Sequence, residues 1–231
     1  MEFSKEAFLE GRILLINKPL NWTSFQVVNK IRWNLKQKLK VKNIKVGHAG
    51  TLDPLASGLL VICIGKNTKL IDSMIGQDKA YSGTFLLGKS TPSYDLETEF
   101  DAVFEISKID LSQIDVIVQS FLGEQDQVPP IFSAKQVDGK RAYDYAREGK
   151  TLVLPPNRVN IKEFSVDTTN FPEINFKIVC SKGTYIRSLA SDFGKKLNSA
   201  ATLIALRRTA SGSFLIDNAK TVEEWISIIK G

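Results

Sequence analysis

The sequence contains few of the residues from which metal and redox sites are usually built. It has one histidine, His48, and two cysteines, Cys63 and Cys180, in 231 residues. Zinc and haem sites take their ligands from clusters of histidine and cysteine, so the sequence predicts a protein with no zinc or haem site and no bound metal. Both cysteines lie in apolar segments, which is typical of buried free thiols in a reducing compartment.

Long apolar segments are also missing, and the first residues of the sequence do not resemble a signal peptide. The longest apolar runs have about six residues, far fewer than the roughly 20 that a membrane-spanning helix needs. The first six residues include two acids where a signal peptide would be basic and then apolar. The sequence therefore predicts a cytoplasmic protein with no membrane partner.

Positive charge is in excess. The net charge is +6, which favours a polyanionic partner. No acid occurs between Asn29 and Lys45, and a run of one sign is a candidate for binding phosphate groups. An ordinary solvated surface is the alternative that the composition leaves open. The basic residues of this run are Lys30, Arg32, Lys36, Lys38, Lys40, Lys42 and Lys45.

Apolar periodicity predicts that the whole chain folds as one α+β domain. The hydrophobic content of 43% is that of an ordinary globular protein. Strict alternation over residues 174–180 predicts a strand with one buried face. Capping-box spacing predicts helix starts at Thr23 with Gln26 and at Thr221 with Glu224.

Two polar segments are predicted as loops with different roles. Residues 92–101 lack the glycine and the spacing of a calcium loop, so their acids, Asp95 among them, are expected to be solvated and mobile. Residues 128–150 interleave aromatic and basic side chains, a mixture that suits an RNA-binding insertion. An ordinary packed loop and helix explains the second segment slightly better on composition alone. Its aromatic and basic residues are Phe132, Lys135, Lys140, Arg141, Tyr143, Tyr145 and Arg147.

The most informative stretch is residues 47–61, which holds three glycines, the single histidine and an Asp53-Pro54 step. Glycines let a ligand approach the backbone closely. Pro54 suits the first position of a short helix, which would make Asp53 its N-cap and keep the carboxylate ionised. An ionised carboxylate on a glycine-rich loop is a candidate active site, although spacing alone favours a plain helix cap.

Two other kinds of site are excluded near this stretch. A phosphate-binding loop of the P-loop type needs Ser or Thr after Gly65-Lys66, where the sequence has Asn67. A zinc deaminase needs a glutamate two residues after its histidine, where Gly50 follows His48. Neither nucleotide chemistry is supported.

Several motifs in fixed order resemble the TruB-type family of tRNA pseudouridine synthases. Each motif is weak alone, but together they cover residues 11–214. The resemblance implies the pseudouridine synthase fold, a mixed and mostly antiparallel sheet flanked by helices with a central active-site cleft. The motifs are residues 17–19 with 22–24, 47–54, Tyr81 at the start of a strand, 130–134 with 139–146, 181–187 and 206–208.

The resemblance also implies a reaction and the residues that carry it. A uridine in the T-loop of tRNA (U55) loses its N-glycosidic bond, its base turns, and a carbon–carbon glycosidic bond forms without metal or cofactor. Motif matching places the essential aspartate at Asp53, with Arg187 paired to its carboxylate. The remaining implied residues are His48, Tyr81, Tyr185 and Leu206, which bind the flipped base together with Arg187, and Lys18 and Pro19, which support the Asp53 loop.

The resemblance also leads to expectations about how far the catalytic domain extends and which molecules the protein binds. Many relatives continue into a C-terminal PUA domain, whereas here a catalytic domain over residues 1–231 ends in a short helical extension, residues 215–231. We therefore expect tRNA binding to be weaker than in longer relatives, or to be confined more to the loop of the tRNA. The basic run over residues 30–45 is expected to offset this loss of affinity. The T-arm of tRNA is the expected partner of a monomer, with no protein partner implied. The alternative is a non-catalytic RNA-binding or tRNA-folding module, which gains little from a carboxylate that faces phosphates.

Overall fold

The computed structural model describes residues 5–133, 135–137, 139–149 and 152–231, with the backbone alone at Lys5, Val137 and Arg141. Some of the predictions concern residues outside these ranges. These residues are Ala134 of the motif 130–134, Lys150 of the predicted RNA-binding insertion, and residues 1–4 of the segment compared with a signal peptide. The chain divides into two compact units. The first unit is Met1–Tyr81 with Leu206–Gly231, and the second is Ser82–Ala205. The single catalytic domain over residues 1–231 stays a prediction.

Helices and strands alternate irregularly along the chain, as in an α+β protein. None of the described helices is long and apolar enough to cross a membrane. The helices are α1 (Lys5–Glu10), α2 (Ser24–Leu39), α3 (Ile71–Ile75), α4 (Ile114–Gln119), α5 (Ala142–Arg147), α6 (Ile186–Lys196) and α7 (Val222–Lys230). The strands are β1 (Arg12–Lys18), β2 (Val46–His48), β3 (Ala56–Ile64), β4 (Lys79–Leu87), β5 (Lys89–Ser90), β6 (Ala102–Val103), β7 (Gly123–Gln127), β8 (Gln136–Val137), β9 (Lys140–Arg141), β10 (Asn157–Asp167), β11 (Glu173–Cys180), β12 (Ala201–Ser211), β13 (Phe214–Leu215) and β14 (Lys220–Thr221).

Strand β3 is the centre of the first unit. It pairs antiparallel with β1 and β2, and parallel with residues 206–208 of β12. Leu60, Ile62 and Ile64 of β3 belong to one apolar cluster, while the residues between them belong to a second. Because both faces are covered, the strand has a continuous apolar run instead of an alternating pattern. The run thus specifies a central buried strand.

Helices α2 and α7 complete the first unit. Each begins with the capping box that the spacing predicted, at Thr23 and at Thr221. In α7, Trp225 is buried and its indole N–H donates to the carbonyl of Leu15 in β1 at 2.8 Å. The last helix of the chain therefore packs on its first long strand, while β14 extends the sheet in parallel beside β1.

The second unit contains a mostly antiparallel sheet and an aromatic core. The neighbouring strands of this sheet are, in order, β12 (through Ala201–Ala205), β4, β11, β10 and β7. Strand β10 is antiparallel to both of its neighbours. Alternate residues of β11 are buried, as the pattern over residues 174–180 predicted. The buried rings contact one another, and the pair Phe85 and Phe176 stacks with ring centres 4.2 Å apart. Mixed sheets flanked by helices confirm the predicted fold class.

Candidate active site

Asp53 lies in a β-turn and not at the start of a helix. The Ala56 N–H donates to the Asp53 carbonyl at 3.1 Å, and β3 begins at Ala56. The predicted short helix capped by Asp53 is therefore wrong. Proline fits the second position of a β-turn as well as the first turn of a helix, so the Asp53-Pro54 step alone does not distinguish them. The pairing of β3 with its neighbours extends the chain after the turn.

The start of α2 holds the turn in place. The Ser24 hydroxyl accepts from the Leu52 N–H at 2.8 Å and donates to the Leu52 carbonyl at 3.0 Å. The Asn21 N–H donates to the Pro54 carbonyl at 2.8 Å. The backbone on both sides of Asp53 is thus fixed to the segment that leads into one helix, and Ser24 itself is buried.

Two buried cations flank Gly58 in the sheet beside this turn. The strand register sets Lys18 of β1 opposite Gly58 and Gly58 opposite Arg208 of β12. Lys18 is 0% exposed and Arg208 is 1% exposed. Gly58 has φ +102°, and a Cβ atom there would lie 2.3 Å from the backbone oxygen of Arg208. Only glycine allows this approach of β12 to β3.

The Arg208 guanidinium binds the glycine-rich loop through backbone carbonyls. Its Nε donates to Leu59 at 2.8 Å, and its terminal nitrogens donate to Gly50 at 3.0 Å and Thr51 at 3.4 Å. Five donors in a rigid fork suit an arginine to bridge several carbonyls at once. Arg208 therefore ties the loop that precedes Asp53 to β3.

Lys18 belongs to the same electrostatic group as Asp53. Its ammonium donates to the carbonyls of Trp22 at 2.6 Å and Pro19 at 3.0 Å. Burial lowers the pKa of Lys18 to about 8, the Asp53 carboxylate acts to raise this pKa, and the Arg208 charge acts to lower it further. The ammonium thus interacts with the carboxylate while it holds the turn after β1.

His48 is the last residue of β2 and pairs with Ile62 of β3. Burial, followed by the Arg208 charge, lowers the pKa of His48 from its usual range. Its Nδ1 atom is buried without a hydrogen-bond partner in the part of the chain that the structure describes. A lowered pKa means that His48 is neutral at neutral pH, so it suits contact with a base better than contact with a phosphate.

The remaining predicted residues of the first unit lie on two strands. Leu206 pairs with Ala56, the residue at which the Asp53 turn meets β3, and is half-buried. Tyr81 is the third residue of β4 and is also half-buried. The register therefore brings Leu206 next to the turn, while the stacking role of Tyr81 stays a prediction.

In the second unit, Tyr185 is the N-cap residue of α6 and is bound by Gln127. The Tyr185 N–H donates to the Gln127 side-chain oxygen at 2.8 Å, and the amide nitrogen of Gln127 donates to the Tyr185 carbonyl at 3.1 Å. Gln127 is buried at the end of β7. This reciprocal pair replaces a side-chain cap and fixes the start of α6.

Arg187 forms a buried ion pair that the sequence did not indicate. Its Nε atom lies 3.6 Å from Oδ2 of Asp95, and both side chains are 6% exposed. A terminal nitrogen donates to the carbonyls of Phe132 at 2.8 Å and Ser93 at 3.5 Å. The prediction that the acids of residues 92–101 are all solvated is wrong for Asp95, because its partner stands on a helix much later in the chain.

The predicted RNA-binding insertion forms a short hairpin, β8 with β9, followed by α5. Its rings and cations contact one another: the Arg147 guanidinium lies 5.1 Å from the centre of the Tyr143 ring, and the Lys140 ammonium lies 4.9 Å from that of Tyr145. Lys135 donates to the Pro155 carbonyl at 2.6 Å. These contacts fit either interpretation of the segment, so its role stays a prediction.

The structure thus groups the predicted site residues by unit. The first unit holds Asp53, Lys18, Pro19, His48, Leu206 and Tyr81, and the second holds Tyr185 and Arg187 at the start of α6. Lys18 interacts with the charge of Asp53, and Leu206 pairs with Ala56, the residue at which the Asp53 turn meets β3. The proposed pairing of Arg187 with Asp53 joins the two units and stays a prediction. Four further residues, Ser24, Asp95, Gln127 and Arg208, were not predicted from the sequence as site residues. Among the described residues, no group of three or more His, Cys, Asp and Glu is placed to hold a metal ion.

Sequence comparison identifies the family. A family model described as TruB family pseudouridylate synthase (N terminal domain) matches residues 36–186, which include His48, Asp53 and Tyr81. The chain belongs to this family. The TruB match starts within α2 and ends at the first residue of α6, so it spans the Asp53 turn and most of the second unit.

Curated relatives of this TruB chain carry the name tRNA pseudouridine synthase B. The relative from Flavobacterium johnsoniae is 54% identical over 215 residues, which cover 93% of this chain and 94% of the relative. That from Parabacteroides distasonis is 49% identical over 217 residues, covering 94% and 92%. That from Clostridium novyi is 43% identical over 208 residues, covering 90% and 69%.

Solved structures support the fold of the TruB chain. The structure titled "Crystal Structure of a Cbf5-Nop10-Gar1 Complex" matches 98% of this chain with a TM-score of 0.73 at 24% identity. The structure titled "Crystal structure of the archaeal box H/ACA sRNP Nop10-Cbf5 complex" matches 97% with a TM-score of 0.68 at 22% identity. This chain spans 56% and 55% of those solved chains. At such identities the likeness shows the fold alone.

Proposed function

We propose that this protein is a tRNA pseudouridine synthase that converts the uridine at position 55, in the T-loop, to pseudouridine. Its membership of the TruB family and its close relatives named tRNA pseudouridine synthase B support the substrate and the reaction. The observation that carries the proposal is the placement of Asp53 in a braced turn beside a buried ammonium, Lys18. A tRNA substrate implies a cytoplasmic enzyme that contacts the T-arm.

The reaction is an isomerisation in which no atom is gained or lost overall. The bond between C1′ of the ribose and N1 of uracil breaks, the base turns, and a bond between C1′ and C5 forms. C5 loses a proton and N1 gains one. Asp53 serves either as a nucleophile toward the sugar or ring or as the base that takes up a proton.

Preorganisation is the part of the mechanism that this fold supports in most detail. Ser24, Asn21 and Arg208 bind the backbone around Asp53, so the position from which the carboxylate extends is fixed before a nucleotide binds. Lys18 attracts the carboxylate from inside the protein. Groups fixed in advance lower the barrier because their ordering does not have to occur during the reaction.

The target base has to leave the loop stack before it can turn, at a cost of a few kcal/mol that binding offsets. By family resemblance we assign His48 to fill the place that the base leaves and Tyr81 to stack on the base and assist a late proton transfer. Tyr185 and Leu206 form other walls of the base pocket. Arg187 is assigned to pair with Asp53 and orient it. A neutral His48 suits insertion among bases.

The test uses an unmodified tRNA transcript with no added metal or nucleotide. Wild type is run beside Asp53→Asn and beside a control, Asp72→Asn, which changes an exposed carboxylate of α3 in the same unit. The transcript is digested and pseudouridine is quantified by chromatography. Pseudouridine at position 55 from wild type and the control, but not from Asp53→Asn, is the expected result.

Other outcomes separate the alternatives. Tight RNA binding without pseudouridine from any of the three proteins would overturn the enzyme in favour of an RNA-binding module. Equal activity of wild type and Asp53→Asn would keep the enzyme and reject the role of Asp53.

A further inference from the structure

Helix α2 carries large aromatic side chains on the side that faces away from the core. Phe25 is 62% exposed and Trp33 is 58% exposed. Asn29 lies between them at four-residue spacing, so the three side chains form one row along the helix. Val27, Ile31 and Leu35 lie on the other side and are buried in the core. The exposed rings therefore contribute nothing to the core that anchors the helix.

A shallow groove lies along the same outer side. It has a volume of about 310 Å³ and is lined by Trp22, Gln26, Asn29 and Lys30. This volume is at the lower end of the range for small-ligand sites, about 300–1,000 Å³. Its lining combines an aromatic ring, two amides and an ammonium. These groups match the ring face, the polar edge and the phosphate of a nucleotide.

The charge of α2 has one sign. The helix contains no Asp or Glu, while Lys30, Arg32, Lys36 and Lys38 all lie on it. Arg32 is used internally, since it donates to the Val46 carbonyl at 2.8 Å and to the Asn29 side chain at 3.0 Å. A protein partner would need a surface rich in acids to match this helix, whereas every nucleotide of an RNA supplies both an anion and a ring.

The helix is joined to the Asp53 turn at its N-terminal end. Ser24 binds both backbone polar groups of Leu52, and Lys18 donates to the Trp22 carbonyl at 2.6 Å. The 16 residues of α2 extend for about 24 Å from this point. An RNA held at Asp53 therefore has the aromatic row within a few nucleotides of the reacting base.

We propose that the outer side of α2 is a second RNA-contact surface. Unpaired bases stack on Phe25 and Trp33, and Lys30 and Lys36 bind the flanking phosphates. The inference rests on the proposed function, because the RNA is the tRNA substrate. The surface is separate from Asp53, so it sets the affinity for RNA and leaves the chemical step unchanged.

The test compares a double variant, Phe25→Ala with Trp33→Ala, with a matched control, Phe100→Ala with Phe104→Ala, which removes two exposed rings of the second unit. Dissociation constants for a tRNA transcript are measured in an Asp53→Asn background, and rates of pseudouridine formation are measured in the active protein. Loss of base stacking is expected to raise Kd and KM by about tenfold or more, with kcat unchanged. The control is expected to bind like wild type.

Two further measurements are specific to RNA contact. Trp33→Phe keeps a stacking ring, so affinity is expected to stay within about twofold of wild type while the quenching of indole fluorescence by RNA decreases. Lys30→Gln with Lys36→Gln is expected to reduce the slope of log K against log salt by about 1.4 to 1.8.

Unchanged Kd and KM in the aromatic double variant, with an active wild type, would overturn the inference and leave the proposed function intact. A wild type that forms a dimer by light scattering, and a double variant that is a monomer, would make the surface a contact between copies and would also overturn it. If wild type forms no pseudouridine, the proposed function fails, and the affinities in the Asp53→Asn background still decide the role of the α2 surface.

Discussion

At the scale of single residues, Lys18 is a cation whose pKa is lowered to about 8, mainly by burial. It is fully buried, it donates to two carbonyls, and it interacts with the charges of Asp53 and Arg208. Burial of a cation is unfavourable unless hydrogen bonds and an opposite charge compensate for it. The protein keeps this cation where it holds the turn after β1 and interacts with the charge of Asp53.

The lowered pKa of Lys18 predicts a pH-dependent stability. The folded pKa of about 8 is below the ordinary value of 10.5, so the unfolded chain binds more protons between these two values. The free energy of unfolding of wild type is therefore expected to rise relative to Lys18→Met, by about 1 kcal/mol per pH unit between pH 8.5 and 10. Denaturant unfolding at several pH values measures this difference. The exposed Lys30→Met is the control, and parallel curves for wild type and Lys18→Met would reject the shift.

The buried pair of Asp95 and Arg187 predicts a strong difference between two acids of one loop. Asp95→Asn removes a carboxylate from a buried guanidinium and is expected to destabilise the protein by about 3–5 kcal/mol. Glu97→Gln breaks only an exposed contact with Arg147, at 3.5 Å, and is expected to cost less than about 1 kcal/mol. Chemical denaturation of both variants measures the contrast. Similar losses would mean that the Asp95 pair is no more than a surface contact.

Three residues, Asp53, Asp95 and Arg208, show what the sequence could predict at this scale. Asp53 was found because its glycine-rich motif is local, although its turn was mistaken for a helix cap, since an Asp-Pro step fits both. Asp95 was missed because its burial depends on Arg187, which the sequence does not place near it. Arg208 was visible in the motif 206–208, but its contacts with Gly50 and Thr51 come from strand pairing and not from a local pattern.

At the scale of elements, local signals were reliable where a few neighbouring residues decide the structure. Both capping boxes are present, and the alternation in β11 gives its buried face. Strand β7 was missed, because its sequence Gly-Glu-Gln-Asp-Gln is polar and strand-like only through its pairing with β10. Polar strands at the end of a sheet carry no apolar period for sequence analysis to find.

The link between α2 and the Asp53 turn predicts a change in rate that stability alone does not explain. Ser24→Ala leaves the buried N–H and carbonyl of Leu52 without the hydroxyl that binds both. We expect a loss of about 1–3 kcal/mol in stability and about a tenfold or greater loss in kcat, because the turn that carries Asp53 shifts. Single-turnover formation of pseudouridine measures the rate.

Thr23→Ala is the matched control for this variant. It removes the cap of the same helix, at about 1 kcal/mol, without touching Leu52. Its kcat is expected to equal that of wild type. Equal kcat values for Ser24→Ala and Thr23→Ala would show that the hydroxyl of Ser24 does not position the turn.

At the scale of the whole molecule, the first unit is built from two separate segments, Met1–Tyr81 and Leu206–Gly231, whereas the second is the continuous segment Ser82–Ala205. The core of the first unit combines β1, β3 and α2 with the last helix, α7. The core of the second unit is rich in phenylalanine, with Phe85, Phe164 and Phe193 in mutual contact. Because each core is closed by its own large side chains, a cavity in one is expected to weaken that unit first.

Hydrogen exchange followed by mass spectrometry tests this with a reciprocal pair of variants. Trp225→Ala removes a buried indole bound to β1 and is expected to lower the free energy of unfolding by about 3–5 kcal/mol. Amide exchange is then expected to be faster in β1 and α2, while the exchange rates of β10 and β11 stay unchanged. Phe164→Ala is expected to give the opposite pattern, since its ring packs on Phe85 and Phe121 within the second unit. If either variant speeds exchange equally in both units, the protein unfolds as one cooperative block. The stability of each unit then depends on the folding of the whole chain and not on its own core alone.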